Sequence, residues 1–452
     1  MITQKDVQNL EKSSVKLTIT VEKTEARKKY DELLNKYAKT AHIKGFRKGK
    51  VPPAILEQKF GEGIRQEATI EIIDAGLQEA LEDIEKKPLP YAQPRLDNED
   101  AAELELDKDF TFSVIYDTFP EVEVGEYKGL EVETPEVKVT KKDEERELDN
   151  IRDQNAMVVE KQDGEVEKDD IITIDYVELD EEGNEKENTS RSDFVFTVGT
   201  GYNVFKIDDD VTGMKKDEEK VIEKEFPEDF EHEEYAGKKI SLKVTVKTIK
   251  VKDIPALDDE LAQDVSDKYE TLSDLKKDVR SQLDASLENK LREVKIEKLF
   301  DQIIENSSID LPESMIEAEL DNSWRNFIQQ SRIGEEQVLQ IIRMQGKSKE
   351  NMLEEWRPNA ERSLKFQLLV EKIREAEGID ATDDEAYEEL KKQAEQGGQD
   401  FESVKEQYEK NNLIEYVKTD VKNRKLFDFL LEQSKIKKGK KLDYLDFVQN
   451  NN

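Results

Sequence analysis

Four basic side chains lie within seven positions of the segment 43-IKGFRKGKVPPA-54, around two glycines and one phenylalanine. Arginine and lysine side chains in such a cluster can donate charge-assisted hydrogen bonds to carboxylates or phosphates. The glycines allow the backbone to turn sharply, and Phe46 can serve as an apolar anchor. Residues 44–52, here called the basic loop, therefore predict a docking element for an anionic surface. The alternative is a solvated loop whose Phe46 folds back onto its own domain.

The distribution of charge supports an anionic partner for this loop. The 452-residue chain has a net charge of −37, yet residues 1–60 hold 14 Lys and Arg against 7 Asp and Glu. The first 60 residues therefore carry +7, and the remainder carries −44. A basic head on an acidic body is typical of a protein whose head meets a polyanion. A solvated charged face is the alternative.

Residues for several common kinds of catalysis are missing. The chain has no cysteine and two histidines, His42 and His232, in different predicted domains. Disulfides and thiolate metal sites are therefore excluded, and neither a Ser–His–Asp triad nor a histidine zinc site is expected. The stretch 199-GTGYNV-204 predicts a β-turn rather than a dinucleotide site, and no GxxxxGK[ST] loop occurs. We expect no metal and no cofactor.

Targeting signals are also missing from the sequence. No apolar segment follows Met1, and no run approaches the roughly 18 apolar residues that a membrane-spanning helix needs. The absence of cysteine fits a reducing compartment. These features predict a soluble, cytoplasmic protein.

The elements around the basic loop predict a small α+β head. Residues 14–23 alternate apolar and polar side chains, as a half-buried strand does, and 25–40 carry a helical apolar stripe. Pro52 and Pro53 suit the first turn of a second, longer helix, and residues 110–124 are predicted to form a strand. The basic loop is therefore predicted to be a helix–helix connection.

Two further regions that differ in composition and periodicity follow along the chain. Short β segments separated by turn signals predict a mostly antiparallel β domain, at 171–179, 194–199, 219–226 and 240–251. Residues 256–311 contain neither glycine nor proline and carry helical stripes without a sustained heptad seam. Long packed helices are therefore expected there, and the tail from residue 436 is expected to fray at its end.

The basic loop, 44-KGFRKGKVP-52, resembles the ribosome-docking signature of the bacterial trigger factor family. The surrounding order of strand, helix, loop, long helix and strand also fits that family. The segments 171-IITIDYVELDEEGN-184 and 193-DFVFTVGTG-201 resemble an FKBP-type prolyl isomerase. The remainder is similar to the family's chaperone body in helix content and position, so the resemblance covers essentially the whole chain.

The resemblance implies a multidomain α+β protein. Residues 1–112 would form an α+β ribosome-binding head, and 113–156 a linker joining head to body. Residues 157–250 would form an FKBP-like antiparallel β domain with a short helix. Residues 251–452 would form an all-α chaperone body with long helical arms.

The implied function is that of an ATP-independent chaperone. It would dock on the large ribosomal subunit near the exit tunnel, on a ribosomal protein and adjacent rRNA, and shield unfolded nascent polypeptides, assisting folding and export. A weak homodimer away from the ribosome is a further implied partner, whereas membranes and DNA are not. The implied ribosome-binding residues are Lys44, Gly45, Phe46, Arg47, Lys48, Gly49, Lys50, Val51 and Pro52.

An FKBP-type site lowers the barrier to X-Pro rotation with an apolar aromatic cavity. Alignment places Tyr176, Phe194, Val204, Ile207, Phe230 and Leu242 around that cavity. The family's Ile-Pro-Gly-Phe-Glu stretch reads 204-VFKID-208 here, while Lys186 and Leu242 stand where aromatic residues are usual. A smaller, partly cationic pocket predicts weak isomerase activity. Alternatively, these residues are simply the core of a β domain.

The body of such a chaperone must bind many unrelated sequences, which calls for broad apolar patches. The residues that could form them are Met315, Ile316, Trp324, Phe327, Met344, Met352 and Trp356. The alternative for each is a place in the core.

Two rival functions remain open. One is a general FKBP-type isomerase with helical substrate-binding arms. The other is a nucleic-acid-binding protein, although the chain lacks a basic stripe beyond the loop and aromatic stacking platforms.

Overall fold

The computed structural model describes residues 1–44, 46–47, 50–97, 104–180, 182–232 and 234–449. The chain divides into two compact units. The first comprises residues 1–134 and 293–437, and the second comprises residues 135–292 and 438–452.

A four-stranded antiparallel sheet and two helices form the N-terminal part of the first unit. Its elements are β1 (Ile2–Asn9), β2 (Ser14–Val21), α1 (Lys23–Thr40), α2 (Pro53–Glu82), β3 (Arg95–Leu96) and β4 (Phe110–Asp117). The strand order is β1-β2-β4-β3. Alternate residues of β2 are buried under α1 and α2, with Leu17, Ile19 and Val21 inaccessible to solvent. The predicted strand and the two predicted helices on either side of the basic loop are therefore confirmed.

Two features of this sheet differ from the sequence-based prediction. The strand predicted over 110–124 ends at Asp117, and a separate short strand, β5 (Val122–Glu123), follows Pro120. Residues 113–117, predicted to lie in the linker, thus pair with β2 in the head sheet. Strand β1 was not predicted, because seven of its eight residues are exposed and it has no apolar alternation.

The second unit contains the antiparallel β domain. The elements from here to the body are β6 (Glu131–Glu136), α3 (Lys141–Gln154), β7 (Met157–Glu160), β8 (Ile171–Leu179), β9 (Arg191–Thr197), α4 (Asp208–Val211), β10 (Glu219–Glu225), β11 (Lys239–Asp253) and α5 (Asp259–Val265). The sheet order is β10-β11-β8-β9, and β7 pairs with β11. The register places Tyr176 opposite Val244 and Ile174 opposite Phe194, so the aromatic side chains of β8 and β9 are neighbours. The four predicted strands are confirmed within a few residues.

Long helices dominate the rest of the chain. The elements are α6 (Leu272–Asn306), β12 (Ser308–Ile309), α7 (Glu313–Ser331), α8 (Glu335–Met344), α9 (Lys349–Glu377), α10 (Asp383–Gln396), α11 (Phe401–Lys410), α12 (Ile414–Gln433), β13 (Lys435–Lys441) and α13 (Tyr444–Gln449). The 35 residues of α6 make a helix about 52 Å long. The tail from residue 436 forms most of β13 and then α13, and its end, residues 450–452, where fraying was predicted, lies outside the described part of the chain.

Side chains at the helix ends explain where several of these helices begin and end. Ser348 and Thr382 each form a capping box at the start of α9 and α10, which satisfies amide groups that would otherwise lack partners. Gly378 ends α9 in the left-handed conformation that glycine adopts without a steric penalty. The core of the helices in the first unit centres on Phe300, whose ring lies 4.4 Å from that of Phe366.

The turn between β1 and β2 contacts the chain just before and within α7. Lys12 and Ser13 both have positive φ, at 56° and 50°, as a two-residue hairpin turn requires. The Ser13 hydroxyl donates a 2.6 Å hydrogen bond to the Asp310 carbonyl. The Lys12 ammonium lies 3.1 Å from the Glu313 carboxylate, which Arg357 also approaches at 2.7 Å. These contacts attach the head hairpin to the helices of the same unit.

Residues 122–130 pack into the helical core of the first unit. Strand β5 pairs with β12, and the Gly125 amide donates to the Ser307 hydroxyl at 3.0 Å. The Tyr127 hydroxyl donates a 2.6 Å hydrogen bond to Glu377, and the Lys128 ammonium lies 2.7 Å from the same carboxylate. The segment is therefore held by backbone pairing and by a charged side-chain network.

We expect this network to make the free energy of unfolding decrease at alkaline pH. The hydrogen bond to Glu377, with burial and the carboxylate charge, raises the pKa of Tyr127 from its ordinary 10.0 to about 12. The unfolded chain releases this proton at lower pH than the folded chain, so the stabilisation is complete below pH 10 and is lost as the pH rises to about 12. Urea unfolding at pH 8 and pH 11 should show a smaller loss in Tyr127→Phe than in wild type. Tyr416→Phe, at a side chain that is 70% exposed, should keep the wild-type loss, and an equal loss in all three would contradict the assignment.

Within the described residues, no helix is long and apolar enough to cross a membrane.

Candidate functional site

The basic loop connects the end of α1 to the start of α2. Ile43, just before the loop, and Val51, near its end, are each 5% exposed and belong to the head core. Between them, Phe46 keeps 38% of its surface exposed. The loop is thus anchored at both ends, and its phenylalanine is presented to solvent instead of being folded back. Val51, predicted as a docking residue, is one of the anchors and is not itself presented.

The basic side chains of the loop also face solvent. Lys44, Arg47 and Lys50 are exposed, as is Pro52 at the start of α2. Backbone hydrogen bonds from Phe46 to Ile43 and from Lys50 to Arg47, at 3.0 Å and 2.9 Å, form two successive turns. Three further predicted docking residues lie outside the described part of the chain: Gly45, Lys48 and Gly49. The described residues combine an apolar ring with flanking cations, as an anionic partner surface requires.

Most of the predicted isomerase residues meet in one cluster of the β domain. The Tyr176 and Phe194 rings lie 5.7 Å apart, edge to face, and Phe230 packs on the same core. Ile207 and Leu242 are buried within this core, at 1% and 0% exposure. Val204 is the exception, since it is exposed on the surface.

Sequence reasoning missed two aromatic residues of this cluster. The Phe205 ring lies 5.2 Å from the Tyr176 ring and 5.2 Å from the Tyr235 ring. Burial is the main cause that raises the pKa of the Tyr235 hydroxyl, so this hydroxyl stays protonated at neutral pH. The sequence signal for these two residues was one aromatic side chain in each of 204-VFKID-208 and 231-EHEEY-235. Whether such a side chain points into the core depends on the conformation of its loop.

A hydrogen-bond network shapes the loop that carries Phe205. The buried Asp208 carboxylate accepts from the Gly199 amide at 2.8 Å and from the Asn203 side chain at 2.5 Å. The Asn203 side chain in turn accepts from the Ile207 amide at 2.9 Å. This network makes the backbone alternate, so that residues 203, 205 and 207 point inward and residues 204 and 206 point outward.

Arg191, and not Lys186, supplies the positive charge beside the aromatic cluster. Lys186 is exposed, and its ammonium lies 3.5 Å from the Glu178 carboxylate. Arg191 instead places its guanidinium 5.1 Å from the centre of the Phe194 ring, a cation–π contact. The charge therefore lies beside a ring of the cluster and is not buried inside it.

The predicted apolar surface of the body is largely core. Ile316 and Trp324 are 4% and 3% exposed, so neither forms surface. The Trp324 indole donates a 2.7 Å hydrogen bond to Glu335, as a buried indole N–H requires. Four of the other predicted residues are partly buried against these cores: Met315, Phe327, Met352 and Trp356.

One predicted residue marks an exposed apolar face on α8. Met344 is 83% exposed. Ile341, one turn earlier, is 47% exposed, and Ile333, just before the helix, is 38% exposed. Neither isoleucine was predicted, because the amphipathic pattern of α8 does not show which face is covered.

Across the described residues, no group of three or more His, Asp and Glu side chains is placed to hold a metal ion.

Comparison with known proteins accounts for three regions of the chain. Residues 3–151 match the description "Bacterial trigger factor protein (TF)", and residues 271–432 match "Bacterial trigger factor protein (TF) C-terminus". Residues 162–249 match "FKBP-type peptidyl-prolyl cis-trans isomerase". These ranges follow the predicted domain order, and the finer boundaries at 112, 156 and 250 stay predictions.

Curated relatives match over nearly the full length. The protein called Trigger factor in Treponema denticola is 40% identical over 449 residues, which cover 99% of both chains. This chain belongs to the trigger factor family. Trigger factors of Borreliella afzelii and Borrelia garinii are 37% and 38% identical, again over 99% of both chains.

Membership explains why these features occur together. The trigger factor N-terminal region is the ribosome-binding domain, and here it carries the exposed Phe46 and Arg47. The FKBP-type domain contains the aromatic cluster. The chain is thus a chaperone of the trigger factor family, which interacts with ribosomes and nascent chains and carries an FKBP-type domain.

Proposed function

We propose that this chain docks through the basic loop beside the exit tunnel of the large ribosomal subunit and holds emerging polypeptides there without ATP. The observation that carries the proposal is the exposed Phe46 with its cationic neighbours, held between the buried anchors Ile43 and Val51. Anchoring at both ends lowers the entropy that the loop loses on binding. Ribosomal-protein carboxylates and adjacent rRNA phosphates are the partners that suit Arg47 and the loop lysines.

The acidic charge of the rest of the chain suits the second half of this function. Residues 61–452 carry a net charge of −44, which disfavours contact with ribosomal RNA. Such a protein would act in the cytoplasm, where ribosomes and nascent chains occur. A weak homodimer away from the ribosome is part of the proposal.

The proposal is tested by two measurements on the full chain. Purified chain should cosediment with ribosomes at moderate salt, and it should suppress aggregation of a denatured client without ATP. A chain that suppresses aggregation but never cosediments would contradict the docking, whereas the reverse would contradict the holding activity.

We predict that the exposed face of α8 contributes to holding. Ile341 and Met344 are three residues apart, so their side chains lie on one face of the helix. Replacing both by serine removes two exposed apolar groups and should weaken client binding about tenfold, or about 1.4 kcal/mol. Titration of a fluorescently labelled unfolded client measures this.

The matched control is Gln337→Ser with Gln340→Ser on the same helix. Both glutamines are exposed, and the change keeps the spacing without removing apolar area. Equal client affinity in the two double variants would show that this face does not bind clients.

The isomerase part of the proposal is weak activity. Tyr176, Phe194 and Phe230 retain an aromatic environment, but Ile207 and Leu242, which alignment also places around the cavity, are closed to solvent. Proline-limited refolding measures this activity, and rates typical of a fully active isomerase would contradict it.

A further inference from the structure

The residues that should form the floor of a proline-binding cavity are inaccessible in the FKBP-type domain. Ile207 and Leu242, which alignment places around that cavity, are 1% and 0% exposed. Tyr176 and Phe194, by contrast, are partly exposed. A prolyl ring that enters an FKBP-type site must touch the floor as well as the rim, and here something already covers the floor.

The side chain placed to cover it is that of Phe205, which is 4% exposed and belongs to the same core as Ile207 and Leu242. Its ring meets Tyr176 on β8 at 5.2 Å and 77°, and meets Tyr235 before β11 at 5.2 Å and 61°. Edge-to-face contacts of this kind are favourable for aromatic rings. A single ring thus joins two aromatic walls that come from different parts of the domain.

The backbone on either side holds this ring inward. Lys206 has a φ of 51°, a left-handed conformation that costs energy for a residue with a Cβ. Its ammonium lies 2.6 Å from the Gly201 carbonyl, and the Asn203–Asp208 hydrogen bonds fix the preceding turn. These contacts stabilise the strained conformation, and Phe205 points into the domain while Val204 points out.

We propose that Phe205 is an internal plug, which fills the volume that the proline of a substrate would occupy. The inference rests on the proposed isomerase role of residues 162–249 and explains its weakness by occupation of the site. It also assigns the specificity: in the native domain Phe205 limits the entry of X-Pro peptides, and entry improves once Phe205 is removed from between Tyr176 and Tyr235. No bond forms or breaks in this reaction, because isomerisation is a rotation about the amide.

The test compares three substitutions in the full chain. Phe205→Gly and Phe205→Val empty all or part of the plug volume, whereas Phe205→Leu keeps most of it. With a Phe-Pro tetrapeptide as substrate, we expect kcat/KM to rise about tenfold in the glycine and valine variants. The leucine variant should stay within about twofold of wild type.

Two results would overturn the plug. Unchanged or lower kcat/KM in the folded glycine and valine variants would show that Phe205 is part of the cavity wall. Saturable binding of the same tetrapeptide to wild type at micromolar concentration would show that the site is already open. Because loss of a buried ring can destabilise a core, thermal unfolding of each variant is measured, and the wild-type titration decides even if a variant unfolds.

The same variants separate this inference from the proposed function. Ribosome cosedimentation and suppression of client aggregation depend on the basic loop and on α8, so both should match wild type in every Phe205 variant. Failure of wild type in those two assays would refute the proposed function without affecting the tetrapeptide measurements.

Discussion

Replacing Phe46, Arg47 and Lys48 together by alanine is expected to abolish cosedimentation with ribosomes while leaving the fold intact. Charge-assisted hydrogen bonds contribute about 1.5–3 kcal/mol each, and a buried aromatic anchor about 2 kcal/mol or more. Loss of about 4 kcal/mol corresponds to a dissociation constant about a thousandfold higher. Phe46 and Arg47 are exposed, so their removal creates no cavity in the head.

A charge-matched control lies on the preceding helix. Arg27 and Lys28 are exposed and form short-range pairs with Asp31 and Glu25, which contribute little to stability. They lie about 20 Å along α1 from the basic loop. Arg27→Ala with Lys28→Ala should cosediment almost as wild type does. Undiminished cosedimentation of the loop variant at moderate salt would refute the docking assignment.

The dependence of ribosome binding on salt should distinguish the loop residues that act by long-range attraction from Phe46, which acts by apolar contact. Lys44 and Lys50 are exposed and act mainly through long-range attraction, which ions screen. Alanine at both positions should therefore weaken binding at low salt more than at high salt. Phe46→Ala should weaken binding at both, because apolar contact is not screened.

The second large effect is expected at Gly125, where the chain approaches the end of α6. A Cβ added there would lie 2.1 Å from the Asn306 carbonyl oxygen and 2.5 Å from its carbon. Backbone atoms cannot move aside as a flexible side chain can, so Gly125→Ala must separate β5 from β12. We expect a loss of about 3 kcal/mol or more in the stability of the first unit.

Hydrogen exchange and thermal unfolding measure this loss. Amides of residues 122–130 should exchange about a hundredfold faster in Gly125→Ala, because local opening becomes easier. The control is Gly63→Ala in the exposed middle of α2, where no atom lies within 4 Å of the added Cβ. That substitution should stabilise the helix by up to about 1 kcal/mol. A Gly125→Ala protein as stable as wild type would contradict the close approach.

These predictions concern separate parts of one working cycle. The loop variant tests the proposed ribosome docking, the α8 variant tests the proposed client binding, and the Phe205 variants test whether this ring limits the proposed isomerase activity. Gly125 tests the packing that joins residues 122–130 to the helices.

Local patterns were enough to predict much of this protein. The alternation of Val15, Leu17, Ile19 and Val21 specifies one buried face of β2, because side chains in a strand point alternately to its two faces. The basic loop could be identified from 44-KGFRKGKVP-52 because all its determinants lie within nine consecutive residues. The order of the α+β, β and helical regions along the chain also indicated the domain order of the trigger factor family.

Long-range contacts decided the rest. Phe205 and Val204 are adjacent apolar residues, yet Phe205 is 4% and Val204 36% exposed. The turn that the Asp208 hydrogen bonds fix directs Phe205 inward and Val204 outward. Trp324 lies in the core because Phe327 and Trp356 pack against it. Helix α9 continues through Pro358, although proline disfavours helix interiors. Local sequence was sufficient to indicate the family, the order of the domains and the position of the basic loop. Which apolar side chains stay exposed depends on the tertiary fold, because burial depends on residues that are distant in the chain.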